Sequence, residues 1–229
     1  MFAQTRVVED QPPVIFLHGV MGSRLRDKNT GEEVWFGSTL KLLFGNYDQL
    51  ALDIDPETLE IKDDSYEEYA LADELVGKDF YGNIIKTLTE YGGYQEAIPG
   101  QKADPKKKNY YVFLYDWRQD NVKTAQKLAD LVEQIRIDYN DPDLKVDIVA
   151  HSMGGLITRY YMRYGKVDVT DDNDFPVNMY GGERVRRVIL LGTPNLGSVE
   201  LLNGFIEGIT LGINEIPTEI LITMPSLYK

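Results

Sequence analysis

The segment Ala150-His151-Ser152-Met153-Gly154 constrains this chain most, because of what flanks it. Before it runs Lys145-Val146-Asp147-Ile148-Val149, which reads as a short buried strand. After it, Gly155 to Tyr164 reads as a helix closed by Gly165. A strand that turns straight into a helix forces the residue at the bend into a strained backbone conformation, so its neighbours must be small. Ala150 and Gly154 meet that need. The helix start behind Ser152 supplies a free backbone N–H and a partial positive charge. Ser152 is therefore a candidate nucleophile, with the Met153 amide a candidate donor to a developing oxyanion. The plain alternative is an ordinary turn serine.

The remaining strands and helices fall around this bend. Val14-Ile15-Phe16-Leu17 follows Pro12-Pro13 as an apolar run, and Tyr110 to Tyr115 is a second strand candidate. Val122, Ala125, Leu128, Ala129, Val132 and Ile135 recur at helical spacing, with Asp120 or Asn121 as cap and Asn140-Asp141-Pro142 as stop. A polar loop, Asp171-Asp172-Asn173-Asp174, leads to a last strand, Val185 to Leu191. The order β–α–β–α–β with near-continuous apolar strands predicts a mostly parallel sheet with helices on both faces. Residues 22–80 show no such unit and read as a lid or cap insertion. The tail from Leu201 onward has loose helical spacing broken by Pro217 and Pro225.

The chain has 229 residues and a net charge of −13, with no cysteine. Its length suits one domain, 1–229. The acidity argues against nucleic acid, whose phosphates require clustered Lys and Arg. The absence of cysteine removes disulfides, thiolate metal sites and cysteine nucleophiles. No run approaches the roughly 18 apolar residues of a membrane span. Met1 to Arg6 lacks the build of a signal peptide, so cytoplasmic and exported locations both stay open.

His18-Gly19-Val20-Met21-Gly22-Ser23 follows the first strand. In α/β-hydrolases a His-Gly turn at this point gives the second oxyanion amide, here that of Val20. Tyr115-Asp116-Trp117-Arg118 reads as a loop held by an Asp–Arg pair, and Asp147 as a structural hydrogen-bond partner. Leu191-Gly192-Thr193-Pro194-Asn195-Leu196-Gly197-Ser198 is rich in turn residues and reads as a pocket wall. Leu40, Leu42, Leu43 and Phe44, near Trp35-Phe36, are candidates for a lid surface that touches lipid, or equally for core of the insertion.

Four motifs in order give a family resemblance: Pro13-Val14-Ile15-Phe16-Leu17-His18-Gly19, Tyr115-Asp116-Trp117-Arg118, Ala150-His151-Ser152-Met153-Gly154-Gly155 and Gly192-Thr193-Pro194. With Met224-Pro225-Ser226-Leu227-Tyr228 in the tail, the chain resembles the lecithin:cholesterol acyltransferase family of α/β-hydrolases. The bend at Ser152 marks only the superfamily, while the Tyr-Asp-Trp-Arg and Met-Pro-Ser-Leu-Tyr pieces are more specific. The resemblance implies a serine esterase acting on phospholipid-like acyl esters, which passes the acyl group to an alcohol or to water. It implies no metal or organic cofactor. It also implies that Trp35, Leu42, Leu43 and Phe44 belong to a lid or membrane-contact region. Animal relatives carry a disulfide in that lid, which this chain cannot form.

The expected order of catalytic groups is Ser, then Asp or Glu, then His. The chain has two histidines, His18 and His151, and both precede Ser152. His151 neighbours the serine along the chain and points the other way, and His18 opens the oxyanion turn. The resemblance places the missing Asp and His beyond position 229. The sheet is then expected to be incomplete on its C-terminal side, with an exposed edge that allows self-association. The second reading is a non-catalytic hydrolase-fold protein that binds lipid or a partner; a peptidase of the same fold is a third.

Overall fold

The computed structural model describes residues 11–37, 45–58, 60–62, 65–72, 74–75, 78–169, 177–211 and 214–228. Met1 to Arg6, the candidates Leu40, Leu42, Leu43 and Phe44, and the loop Asp171 to Asp174 lie outside the described residues.

In chain order the strands are β1 (Val14–Leu17), β2 (Ser23–Asp27), β3 (Glu33–Trp35), β4 (Tyr66–Leu71), β5 (Glu74–Leu75), β6 (Lys78–Asp79), β7 (Gln95–Glu96), β8 (Asn109–Phe113), β9 (Val146–His151), β10 (Val185–Leu191), β11 (Ile209–Leu211) and β12 (Asn214–Ile216). The helices are α1 (Gly82–Lys86), α2 (Asn121–Asp138), α3 (Met153–Tyr164), α4 (Val199–Glu207) and α5 (Thr218–Leu221).

The main sheet has five parallel strands in the order β10-β9-β1-β8-β7. β1 sits at its centre and is buried throughout, as its uninterrupted Val-Ile-Phe-Leu sequence requires. Leu17 pairs with Phe113 on one side and Ala150 on the other, so the chain leaves β1 beside the ends of β8 and β9. That register places the His18 turn next to Ser152.

The two long helices follow the sequence pattern. Asp120 caps α2 by accepting the Val122 N–H at 2.7 Å. The helix buries Val122, Ala125, Leu128, Ala129, Val132 and Ile135. α3 packs on α2 and β9, buries Met153, Ile157 and Tyr161, and ends at Gly165, whose φ of 62° a side chain would resist. The result is the expected α/β-hydrolase architecture with a partial sheet. β10 is its open edge, where Ile189 is 52% and Leu190 36% exposed.

Residues 22–80 contain order that no alternating apolar pattern marks in the sequence. β3, β2 and β4 form an antiparallel sheet, and β5 with β6 forms a hairpin. Leu25, Val34, Trp35, Phe36, Tyr47, Leu50 and Ala72 join the same core as the main sheet. These seven residues therefore pack into the body of the protein. The strands of this segment were hidden because charges alternate through them, as in Ser-Arg-Leu-Arg-Asp of β2.

Candidate active site

Ser152 links β9 to α3 with φ 51° and ψ −123°, a conformation that residues with a Cβ rarely adopt. Holding it costs on the order of 1–3 kcal/mol, so the surroundings must over-determine it. They do so from two sides. The Ser152 N–H donates to the Leu191 carbonyl at the end of β10 at 2.8 Å, and the Ser152 carbonyl accepts from the Gly155 N–H at 3.0 Å. The small neighbours are also necessary. Ala150 is fully buried, and a Cβ at Gly154 would overlap the His18 carbonyl oxygen. The Ser152 side chain stays partly open to solvent.

The turn after β1 closes against this bend. A Cβ at Gly19 would lie 2.8 Å from Ser152 Cβ and 3.3 Å from its Oγ, so only glycine lets the two backbones approach this closely. The Gly19 carbonyl accepts from His18 Nδ1–H at 2.8 Å and from the Gly22 N–H at 3.1 Å. A trans peptide is planar, so the Val20 N–H points the opposite way from that carbonyl. Met153 is buried, and its amide belongs to the first turn of α3, where no intrahelical acceptor exists. Among the described residues neither the Val20 nor the Met153 amide has an acceptor.

Both histidines are committed elsewhere. His18 is fully buried, donates from Nδ1 to Gly19 and accepts the Tyr115 N–H at Nε2, 3.3 Å away. Burial pushes its pKa down to about 4, which keeps it neutral. His151 is half-buried, and burial likewise lowers its pKa. Its Nδ1 lies 3.0 Å from the Tyr81 hydroxyl, which also accepts the Gly19 N–H at 2.9 Å. Tyr81 was not singled out in the sequence. It stands in Asp79-Phe80-Tyr81-Gly82, where no pattern separates it from the other tyrosines.

Trp35, an expected lid residue, is fully buried. Its Nε1–H donates to the Met21 carbonyl at 3.2 Å, and its ring meets Trp117 edge-on at 5.4 Å. It holds the turn after β1 through Met21, and its full burial leaves it no exposed face for a lipid surface. Asp116 and Arg118 form the expected pair, fully buried and forked, at 3.0 and 2.6 Å. Asp147 pairs with Arg186 at 2.9 and 2.5 Å. Thr193 packs directly on Gly155, where a Cβ would overlap its hydroxyl. The tail motif docks on the Tyr-Asp-Trp-Arg loop: the Ser226 N–H donates to the Arg118 carbonyl at 3.3 Å, and Asn121 Nδ2–H donates to the Ser226 carbonyl at 2.8 Å.

A cavity of about 570 Å³ lies between β4, α1 and β8, lined by Arg24, Lys86, Glu96 and Tyr110. Its lining does not include Ser152. Among the described residues no helix is long and apolar enough to cross a membrane.

The family model for lecithin:cholesterol acyltransferase matches residues 102–226, more than half of the chain. The chain belongs to this family. The match takes in the Tyr-Asp-Trp-Arg loop, the Ser152 bend, Gly192-Thr193-Pro194 and the tail as far as Ser226. Solved structures with a similar fold include the Tle4-Tli4 complex, at 19% identity and a TM-score of 0.50, covering 90% of this chain and 50% of that one. The mature form of Bacillus licheniformis lipase BlEst2 matches at 16% identity with a TM-score of 0.42, covering 93% of this chain and 58% of that one. This member of the acyltransferase family thus spans about half the length of those two chains.

Proposed function

We propose that the protein is a serine esterase or acyltransferase that acts on acyl-lipid esters through Ser152. The observation that carries this reading is the φ of 51° and ψ of −123° at Ser152, with the Gly19-Val20 turn against its Oγ. Ser152 Oγ attacks the ester carbonyl and gives up its proton to a base. The Val20 and Met153 amides receive the negative oxygen. The carbon–oxygen bond to the leaving alcohol then breaks, the base returns the proton to that alcohol, and an acyl-Ser152 ester remains. Water or a second alcohol reverses the sequence and carries the acyl group away.

Neither histidine supplies that base: His18 is fully buried and its Nε2 already accepts the Tyr115 N–H, and His151 has Nδ1 engaged by the Tyr81 hydroxyl, which leaves its proton on Nε2. Loss of a catalytic histidine costs on the order of 10⁶ in turnover in a serine protease. An oxyanion site and binding alone retain roughly 10³ to 10⁴ over water. The committed histidines also favour a second reading, a non-catalytic hydrolase fold kept for lipid binding. Membrane-surface contact and self-association through the β10 edge accompany either reading, since Ile189 and Leu190 are exposed there.

Phosphatidylcholine vesicles offered to the complete protein, with and without a long-chain alcohol, separate these readings. The esterase reading expects free fatty acid, expects acyl ester when the alcohol is present, and expects loss of both in Ser152→Ala. Equal turnover by Ser152→Ala overturns it. Vesicle binding without turnover supports the second reading.

A further inference from the structure

We propose that Tyr81 is a positioning residue of this site. Its one buried hydroxyl ties the turn after β1 to the bend that presents Ser152, and it fixes the tautomer of His151. The inference rests on the reading of Ser152 as the nucleophile.

Tyr81 stands just before α1, 62 residues from Gly19 and 70 from His151 in sequence, and is 3% exposed. The hydroxyl accepts the Gly19 N–H at 2.9 Å and lies 3.0 Å from His151 Nδ1. A phenol has one proton. With its oxygen already accepting from Gly19, that proton is free for Nδ1, which must then be the unprotonated nitrogen. His151 is thereby set as the Nε2–H tautomer and cannot take a proton from Ser152 at Nδ1. The opposite assignment would leave the phenol with two donors and a buried proton without an acceptor.

The ring is itself held. It meets Phe16 of β1 edge-on at 5.4 Å and the His151 imidazole edge-on at 5.5 Å. The hydroxyl therefore has little freedom, and through Gly19 it controls the turn that carries the Val20 amide. Gly19 is gripped at both ends: its N–H by Tyr81, and its carbonyl by His18 and Gly22. Loss of the Tyr81 grip lets the turn rotate about the remaining one. An oxyanion donor acts only when aimed at the place where charge develops, so a small rotation lowers the rate without removing the binding surface.

The test is Tyr81→Phe, which keeps the ring and removes the hydroxyl, measured in the complete protein on a water-soluble ester. The expected result is a fall in kcat of roughly tenfold to a hundredfold with KM within about twofold. Unchanged kcat in a variant whose parent turns over through Ser152 overturns the inference alone. A parent without Ser152-dependent turnover overturns the reading of Ser152, and the inference with it. The second measurement does not depend on turnover or on the folding of Tyr81→Phe. Nitrogen-15 spectra of the imidazoles, with His151 assigned by the signal lost in His151→Asn, should show a protonated Nε2 and a bare Nδ1. A protonated Nδ1 on His151 overturns the inference.

Discussion

The imidazole of His18 stacks on the ring of Tyr115 with 4.0 Å between centroids and planes 8° apart. Tyr115 also donates to His18 twice, from its hydroxyl to the His18 carbonyl at 2.6 Å and from its N–H to Nε2 at 3.3 Å. The pair joins the end of β1 to the end of β8 directly beneath the turn that faces Ser152. It leaves His18 no way to accept a proton without breaking a bond.

That arrangement makes stability depend on pH. Burial lowers the folded pKa of His18 to about 4, against an ordinary value of 6.5. Above pH 6.5 the histidine is neutral in both states, and its contribution to stability is fully present. Between pH 6.5 and about 4 the unfolded chain takes up a proton that the folded chain refuses, so stability falls with falling pH. The loss attributable to this residue is about 3 kcal/mol. Denaturant unfolding at intervals across that range should show a steeper fall for the native sequence than for His18→Gln. Parallel curves would contradict the assignment.

Gly155 and Thr193 form a contact with no spare room. Gly155→Ala should destabilise the protein by about 1–3 kcal/mol, as overpacking does. Because the obstruction is a side chain, Thr193→Gly should recover part of that loss. Among the described residues the buried Thr193 Oγ has no hydrogen-bond partner, so its removal forfeits none there. Additive effects in this double-mutant cycle would show that the two positions do not meet.

The forked pair of Asp116 and Arg118 should not tolerate lysine. Arg118 also donates to the Leu50 carbonyl at 3.3 Å, its guanidinium lies 5.0 Å over the Tyr66 ring, and its carbonyl receives the Ser226 N–H. Arg118→Lys keeps the charge and the backbone contact to Ser226, but an ammonium cannot serve the Asp116 carboxylate, the Leu50 carbonyl and the Tyr66 ring together. Truncation to Arg118→Ala leaves a buried carboxylate uncompensated and should cost about 3–5 kcal/mol. Thermal unfolding of both variants measures this, and a midpoint unchanged in Arg118→Lys would refute the structural role.

The open edge of the sheet gives a further expectation. Ile189 and Leu190 are exposed on β10, and Val199, Leu202 and Ile206 of α4 are exposed beyond it. The 229-residue chain should elute in gel filtration as concentration-dependent dimers or larger species. Ile189→Lys should shift it toward monomer. A monomer at every concentration contradicts this expectation.

Much of this was legible because local rules and global packing agree along the central strands. β1, β9, β10 and α2 lie close to where apolar runs, spacing and the Asp120 cap place them. Ser152 stood out because a small-residue bend between strand and helix has few other uses. The rest depends on contacts between distant segments. Trp35 carries the same apolar signal whether it faces lipid or core, and only packing against Trp117 decides for the core. Tyr81 acts through two bonds to residues more than 60 positions away, and no local pattern encodes that.

The most direct measurement is covalent labelling of the complete protein with a fluorophosphonate, followed by tryptic mass mapping. The peptide from Val146 to Arg159 contains Ser152 as its only serine. A single adduct on Ser152, absent from Ser152→Ala, is the predicted result. Equal labelling of the Ser152→Ala protein, or an adduct on a different residue, would contradict the assignment of Ser152 as nucleophile.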